Sequence, residues 1–573
     1  MSVTGAARTA GVVWATGSIE WDDAADVLVV GGGAGGLVTA VAAADGGANV
    51  VVLEKAGQYG GTTWKSGGGS WVPDNHFQRE LGVEDRRDDV LRYMARTARP
   101  TRYLPQAPGL GLPAWEFEQL EAFYDDAGTV FEHLATAGVL HQSHIADFPD
   151  YFQHLNEDVV TTGRLIVPRY PDGEPADGPE LMRQLKRSLD ERGGRLLVDH
   201  RVVGVVVADD GRVEGVVADT PLGRAALKAE RAVVFASGGF TWNADLREAY
   251  LPGPVYGGCA VVTNEGDFVP IAQTLGAAMR NMNQFWGAPI IIDHAIKRDP
   301  TALGTHTTVG DSMIHVNRYG VRAVNEKALY NEKQRAMFQW DAQRLEYPNL
   351  LMFVIWDQRT MDRCGGNPYD GGLIPAPDGD DSHVVRGDTL EGLTAALDAH
   401  IAAFAAVTGG IRLAEDFREN LTETIDRFNE FAHAGRDEDF KRGETPTEQF
   451  FNAISIDSAG FARGTTEALD SDRSSVGVIE AVANPTMYPL SGDGPYYGAV
   501  LVPGALDTKG GPQTDLAGRV LDHAGAPIRG LYAVGNCAAS PSAQGYWGPG
   551  CTLGLIITQA WRTGRDIAGA PLT

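Results

Sequence analysis

Apolar runs of four to eight residues, punctuated by glycine-rich turns, mark both ends of the chain. Asp26-Val-Leu-Val-Val30 is apolar after its first residue and lacks alternation, the pattern of a strand buried on both faces. Leu37 to Ala44 is apolar at every position but Thr39 and predicts a helix packed on that strand. Asn49-Val-Val-Val-Leu-Glu54 predicts a second strand that ends on a carboxylate. Valines in residues 201–218 flank Asp209-Asp210-Gly211 and predict a β-hairpin turning there. Arg231-Ala-Val-Val-Phe-Ala236 predicts another buried strand, followed by Ser237-Gly238-Gly239. Gly530-Leu-Tyr-Ala-Val534 predicts one more, running into Gly535-Asn536.

The middle of the chain reads differently. Segments 171–178 and 366–382 are rich in Pro, Gly and Asp and predict loops, while Pro179–Gly193 and residues 388–435 predict helices. No internal repeat of 20–50 residues is visible. This order predicts an α/β (α+β) protein in which a Rossmann-like domain, residues 21–288 and 505–573, is interrupted by an inserted α+β domain, residues 289–504. Residues 1–20 are expected to be an N-terminal extension.

Composition narrows the classes. Glycine accounts for 71 of 573 residues without a G-X-Y period, so it serves tight turns and close backbone approach. Net charge is 48 − 75 = −27, a surface that phosphate backbones repel, so no nucleic acid is expected as a partner. The four cysteines (Cys259, Cys364, Cys537, Cys551) form no CxxC, which fits a reducing compartment. The apolar stretch Val27–Ala44 is broken at Gly31–Gly36, so no transmembrane segment is expected. The expected location is cytoplasmic, with peripheral attachment to a membrane left open.

Gly31-Gly-Gly-Ala-Gly-Gly36 contains G-x-G-x-x-G at Gly31, Gly33 and Gly36, after a predicted strand and at the start of a helix. Glu54 ends the next strand. That context is the dinucleotide fingerprint: glycines allow the turn and the close approach, the helix start favours the pyrophosphate, and the acid accepts from ribose hydroxyls. Gly60-Gly-Thr-Thr-Trp-Lys-Ser-Gly-Gly-Gly-Ser-Trp71 adds a second glycine- and hydroxyl-rich loop, which suits a flavin better than a nicotinamide. Gly535-Asn536 ends a strand where a polar side chain can reach a ribityl chain. Together these elements predict FAD.

The same motifs resemble the flavoprotein family of fumarate reductase, succinate dehydrogenase and 3-ketosteroid dehydrogenases. They are most similar to the 3-ketosteroid Δ1-dehydrogenases. The resemblance rests on Gly60–Asn75, Asp437–Gly443, Val502–Gly511 and Tyr546–Gly554, and runs through nearly the whole chain from about Asp26. It implies FAD contacts from Gly31, Gly33, Ala34 and Gly35, from Glu54 and Lys55, and from Gly61, Thr62, Thr63, Ser66, Gly68 and Gly69. It adds Val202, Ala236 and Gly238 in the middle strands and Gly535, Asn536, Thr552 and Leu553 near the C-terminus. No histidine lies between Glu54 and Asn75, where the respiratory branch attaches its flavin, so FAD is expected to be noncovalent.

In the dicarboxylate reductases of this family an arginine follows a motif like N-x-x-G-x-R-F-x-N-E and moves the proton. Here the motif is Asn317-Arg-Tyr-Gly-Val-Arg-Ala-Val-Asn-Glu326, and the residue four beyond it is Tyr330. The second arginine expected near the C-terminus is replaced by Gln544-Gly-Tyr-Trp-Gly-Pro-Gly550. Carboxylate recognition favours a bidentate guanidinium, so a dicarboxylate is disfavoured. By resemblance, Tyr330 removes the proton beside a ketone while Tyr546 and the Gly550 N–H hold its oxygen. A phenol with an ordinary pKa of about 10 must have it lowered to act near neutrality. The expected reaction is α,β-dehydrogenation of a cyclic ketone, of the 3-ketosteroid Δ1 type. Alternatives are a smaller cyclohexanone-type ring or an enoate or fumarate-type reductase. An external acceptor, a quinone or dye-like compound, would take the electrons.

The likeness breaks at one place. Those enzymes carry an assisting tyrosine near G-Y-S-D-Y-Y, whereas Asp147-Phe-Pro-Asp-Tyr-Phe152 puts Phe148 there. Tyr151, solvent, or a more acidic α-proton stand as replacements. The resemblance to the steroid enzymes implies long helical matter after Phe152, where this chain has about 25 residues before the helix at Pro179–Gly193, and a smaller cap is expected to suit a smaller ring. Phe148, Tyr151 and Trp286 are candidates for the substrate pocket, with Trp286 equally suited to a core. Arg335 is retained as a displaced acid. His294, His315 and the group His141, His144 and His154 lack metal-ligand spacing, so no metal is expected. Met337, Phe338 and Trp340 are expected to pack the inserted domain, and the acidic runs at 378–381 and 436–439 to be solvated loops.

Overall fold

The computed structural model describes residues 8–9, 11–14, 19–297, 308–367, 370–456 and 483–573. The chain divides into two compact units. The first comprises Met1–Leu251, Ala260–Phe285 and Asp507–Thr573, and the second Pro252–Cys259 with Trp286–Leu506. Within the expected extension 1–20, residues 1–7, 10 and 15–18 lie outside the described residues. Val12–Trp14 forms a strand that pairs in parallel with Arg201–Val207.

The first unit is built on a ten-stranded sheet. Asp23–Val30 lies between Val50–Leu53 and Gly223–Phe235 and runs parallel to both. Its last four residues are buried on both faces, which explains the unalternating run Val27–Val30. Gly223–Phe235 is longer than the expected Arg231–Ala236 strand because it serves two ladders. Residues 223–228 pair antiparallel with Gly215–Thr220, and residues 227–235 pair parallel with Asp23–Val30. Pro527–Ala533 adds to its other side in parallel. The hairpin turns at 209–211 between Arg201–Val207 and Val213–Thr220. Helices Ala34–Asp45 and Cys551–Ala568 pack against each other over this sheet, and Gly564 permits the contact: a Cβ there would lie 2.5 Å from Thr39 O.

The second unit has an antiparallel sheet ordered Ile290–Ile291, Tyr496–Val502, Met352–Asp357, Met313–Val316, with Val385–Gly387 also on Tyr496–Val502. Helices Leu390–Ala402 and Phe417–Ala434 supply Leu397, Leu421 and Phe428 to a core shared with Val316 and Phe353. Met337 is fully buried, but Trp340 is 50% exposed, its ring edge-on to Tyr347 at 4.9 Å beside an exposed turn. It does not serve as core.

In the run 436–439, Arg436, Glu438 and Asp439 are exposed as expected, and Asp437 departs from that reading. Asp437 is fully buried, because Arg322 donates to both of its oxygens at 3.3 and 2.8 Å. The same guanidinium grips Glu326 through two bonds of 2.7 and 2.8 Å. Arg442 reaches Glu326 at 3.3 Å and donates to the carbonyl of Met313 at 2.7 Å. Burial would raise the Glu326 carboxyl, but Arg322 outweighs it and holds it down to about 2. Two of the sequence motifs, Asn317–Glu326 and Asp437–Gly443, therefore meet in one ion network inside this unit. Breaking such a network strands a buried charge, which costs about 3–5 kcal/mol. Asp437→Ala is expected to lower unfolding free energy by about that amount, measured by denaturant titration.

Candidate active site

In the first unit one cavity of roughly 840 Å³, part of it open to solvent, lies over the start of helix Ala34–Asp45. Gly31, Gly33, Ala34, Gly35, Glu54, Lys55, Gly61, Thr62, Thr63, Val202, Ala236, Gly238, Gly535 and Asn536 all line it. Gly31 has φ +112°, and a Cβ there would lie 2.4 Å from Ala236 O, so the turn admits no side chain. A Cβ on Gly33 would meet only Gly60 O at 3.8 Å, which leaves this main chain open to a ligand. The helix start has no side-chain cap and no acid in its first turn, an arrangement suited to a pyrophosphate.

Glu54 is oriented by its own backbone surroundings. Its Oε2 accepts from Gly32 N at 2.8 Å and its Oε1 from Ala56 N at 2.8 Å. Each carboxylate oxygen retains a lone pair for a ribose hydroxyl. Lys55 lines the cavity but is engaged by Asp267 at 2.7 Å and Glu265 at 3.3 Å. These residues fit a dinucleotide in donors, acceptors and clearance.

Sequence reasoning missed the hub of the opposite wall. Asp507 is buried and accepts five hydrogen bonds: from Gly239 N, Thr241 Oγ1, Thr508 N and Asn264 Nδ2 at 2.9 Å and from Asn536 Nδ2 at 3.1 Å. Burial raises its carboxyl pKa in spite of these donors. Its role shows only in its donors, most of them drawn from distant segments. His200 and Asn264 also line the cavity and carried no sequence signal.

Ser66, Gly68, Gly69, Thr552 and Leu553 are not among the residues lining that cavity. The Gly69-Ser70 turn instead lies against the start of helix Cys551–Ala568. Trp71 N donates to Gly550 O at 3.0 Å. Gly550 has φ +80°, and a Cβ on it would lie 2.5 Å from Gly69 and Ser70 main-chain atoms. Tyr546, four residues earlier, is 6% exposed and meets the Tyr151 ring edge-on at 5.4 Å. Phe148 is also buried, and Tyr151 of the same loop reaches Tyr546.

In the second unit Tyr330 is the first residue of the helix Tyr330–Arg335 and is 4% exposed. Its helix comes directly after Glu326, so the Arg322–Glu326–Asp437–Arg442 network fixes the chain leading into it. Asn331 Oδ1 accepts from Gly287 N at 3.0 Å, tying the helix to the strand that carries the buried Trp286. Lys327 and Lys333 are buried three residues before and after Tyr330, and burial pushes both down to about 7. Their ammonium groups are held by Thr308 O and Gly310 O at 2.7 Å, and by Thr308 Oγ1 at 2.8 Å. Arg335 is half exposed and pairs with Glu332 at 3.5 Å. Among the described residues no group of three His, Cys, Asp or Glu is placed to hold a metal ion, and no helix is long and apolar enough to cross a membrane.

Residues 26–553 match the family model of the FAD binding domain. The 4-oxocyclohexanecarboxylate 2-dehydrogenase of Sinomonas cyclohexanicum is 33% identical, over 95% of this chain and 93% of its own length. The 3-oxosteroid 1-dehydrogenase of Mycolicibacterium smegmatis is 29% identical, over 95% of this chain and 97% of its own. Among solved structures, the 3-ketosteroid Δ1-dehydrogenase of Sterolibacterium denitrificans in complex with 1,4-androstadiene-3,17-dione aligns with a TM-score of 0.76 at 25% identity. That alignment covers 96% of this chain and 100% of the other. Gly31→Ala is expected to yield protein with less than about a tenth of the wild-type FAD per chain, read from the visible-to-ultraviolet absorbance ratio.

Proposed function

The chain belongs to the FAD binding domain family, and on that premise we propose that it desaturates a cyclic ketone at the bond beside its carbonyl, with FAD held noncovalently in the cavity lined by Gly31, Glu54 and Asn536. The observation that carries the reading is a phenol at position 330. It opens a helix whose approach is fixed by buried charge pairs, where a dicarboxylate reductase would place a guanidinium. Arg322, in the motif before it, is spent on Glu326 and Asp437 and is not available to a substrate carboxylate. The similarity to enzymes named for an oxocyclohexane and for a 3-oxosteroid, over nearly the full chain, supports the same reading.

FAD, when bound, supplies the acceptor for the hydride that leaves the β-carbon. Tyr330, ionised to its phenolate beforehand, takes the proton from the α-carbon and becomes a neutral phenol, while the hydride leaves the β-carbon and a C=C bond forms. As that proton leaves, negative charge grows on the ketone oxygen. The Tyr546 hydroxyl and the Gly550 N–H donate to it, and such donors act most strongly where charge develops. The start of helix Cys551–Ala568, with no acid in its first turn, favours the same charge. An external quinone or dye-like acceptor completes the cycle.

Anaerobic mixing with androstenedione, cyclohexanone or 4-oxocyclohexanecarboxylate tests the reaction and ranks the ring sizes. Loss of the flavin's visible absorbance with any of the three supports the reading, and reoxidation of dye-reduced protein by fumarate overturns it. Tyr330→Phe is expected to retain bound FAD while kcat falls about 10²- to 10⁴-fold. Tyr546→Phe is expected to lose about 10²- to 10³-fold in kcat with a smaller change in KM. Steady-state kinetics per bound flavin checks both.

A further inference from the structure

Within the first unit the segment Tyr546–Gly550 is fastened at several points to one buried carboxylate. Asp150 is 2% exposed, and its Oδ1 accepts from the Trp71 indole N–H at 2.7 Å. Trp71 in turn donates its backbone N–H to Gly550 O at 3.0 Å. The next residue, Tyr151, donates its backbone N–H to Trp547 O at 3.0 Å and packs its ring on Tyr546. Asp150 is therefore linked to the Gly550 end of the segment through Trp71 and to the Tyr546 end through Tyr151.

The other carboxylate oxygen of Asp150 accepts from Arg164, itself 1% exposed. Arg164 also holds Asp85 through bonds of 2.7 and 2.8 Å and Asp158 at 3.1 Å. One guanidinium thus serves three carboxylates. The Tyr93 phenol and the Cys551 thiol also face Asp150, both driven up by burial, and the buried Lys509 ammonium acts on Cys551 and donates to Gly545 O at 2.9 Å. Burial pushes the Asp150 carboxyl up to about 7, with Arg164 opposing and Asp158 adding to the rise.

We propose that Asp150 is a positioning residue for ketone activation: through Trp71 and Tyr151 it sets where the Tyr546 hydroxyl and the Gly550 N–H meet the substrate oxygen. This rests on the ketone reading above. Donors that stabilise a developing charge lose their effect when displaced by about 1 Å, a loss of order 10²-fold. A protonated Asp150 keeps an acceptor for Trp71 but weakens its hold on Arg164, so turnover carries a pH dependence near neutrality.

The test uses the FAD-loaded full chain with cyclohexanone and a dye acceptor, comparing wild type, Trp71→Phe and Asp150→Asn for kcat per bound flavin, KM and pH profile. Trp71→Phe is expected to lower kcat per bound flavin by about 10-fold or more, with KM changed less than about threefold. Asp150→Asn keeps the Trp71 acceptor and the shape, and is expected to flatten the inflection expected of wild type near pH 7. A purely structural role would reduce bound FAD or thermal stability and leave kcat per bound flavin and the pH profile unchanged, which overturns the inference. If wild type turns over cyclohexanone and the Asp150→Asn profile superimposes on its own, the inference falls and the ketone reading stands. If wild type turns over no ring ketone, both fall.

Discussion

Main chain touching main chain is the constraint on which this molecule depends. At Gly31 the first turn passes so near Ala236 that a Cβ would sit 2.4 Å from its carbonyl oxygen. At Gly36 the helix closes on that turn, with 1.9 Å between an imagined Cβ and Gly31 O. At Gly550 the C-terminal helix begins against Gly69 and Ser70. A ligand held by backbone N–H groups needs such bare surfaces, since a side chain would fill the space the ligand requires.

Surfaces made of backbone have no side-chain packing to hold them, and buried charge takes over that task. Asp507 gathers five donors behind the cavity, and Arg164 gathers three carboxylates under the Tyr546 segment. Arg322 and Arg442 anchor the approach to Tyr330. Such clusters are costly to bury and contribute little net stability compared with an apolar core. Their contribution is directional: each bond fixes an angle, and breaking one leaves an unpaired charge. An apolar cluster of equal volume would tolerate the small displacements that catalytic donors cannot.

The strands, the hairpin and the dinucleotide turn were legible because each is governed by local rules. Val27–Val30 must be buried on both faces, Asp209-Asp210-Gly211 must turn, and Gly31 must lack a side chain whatever the rest of the fold does. The charge hubs were not legible. The donors to Asp507 come from residues 239, 241, 264, 508 and 536, four of them far from it in sequence. Asp437 lies in a run of charges that reads as solvated, and Arg322, 115 positions away, pairs with it inside the fold together with the main-chain N–H groups of residues 439, 440 and 442. Pairing of this kind is decided by tertiary structure, and no periodicity announces it. Trp340 failed in the opposite sense: its hydrophobicity suggested a core, but the exposed turn at Asp341–Glu346 holds it outside.

The same logic separates ketone chemistry from dicarboxylate chemistry. A guanidinium binds a carboxylate well because its charge is permanent and its donors are fixed in a plane. Those qualities also make it a poor partner for an apolar ring, since a buried cation without an anion is expensive. In this chain Arg322 of the Asn317–Glu326 motif is neutralised by Glu326 and Asp437, and position 330 carries a phenol, which in the proposed reaction would act as its phenolate and end neutral. Such a base carries charge only as the phenolate and becomes neutral on taking the proton, while the negative charge passes to the ketone oxygen during the reaction. In the proposed reaction donors are needed at a single oxygen, and Asp150, which accepts from the Trp71 indole, is the carboxylate that would hold them in place.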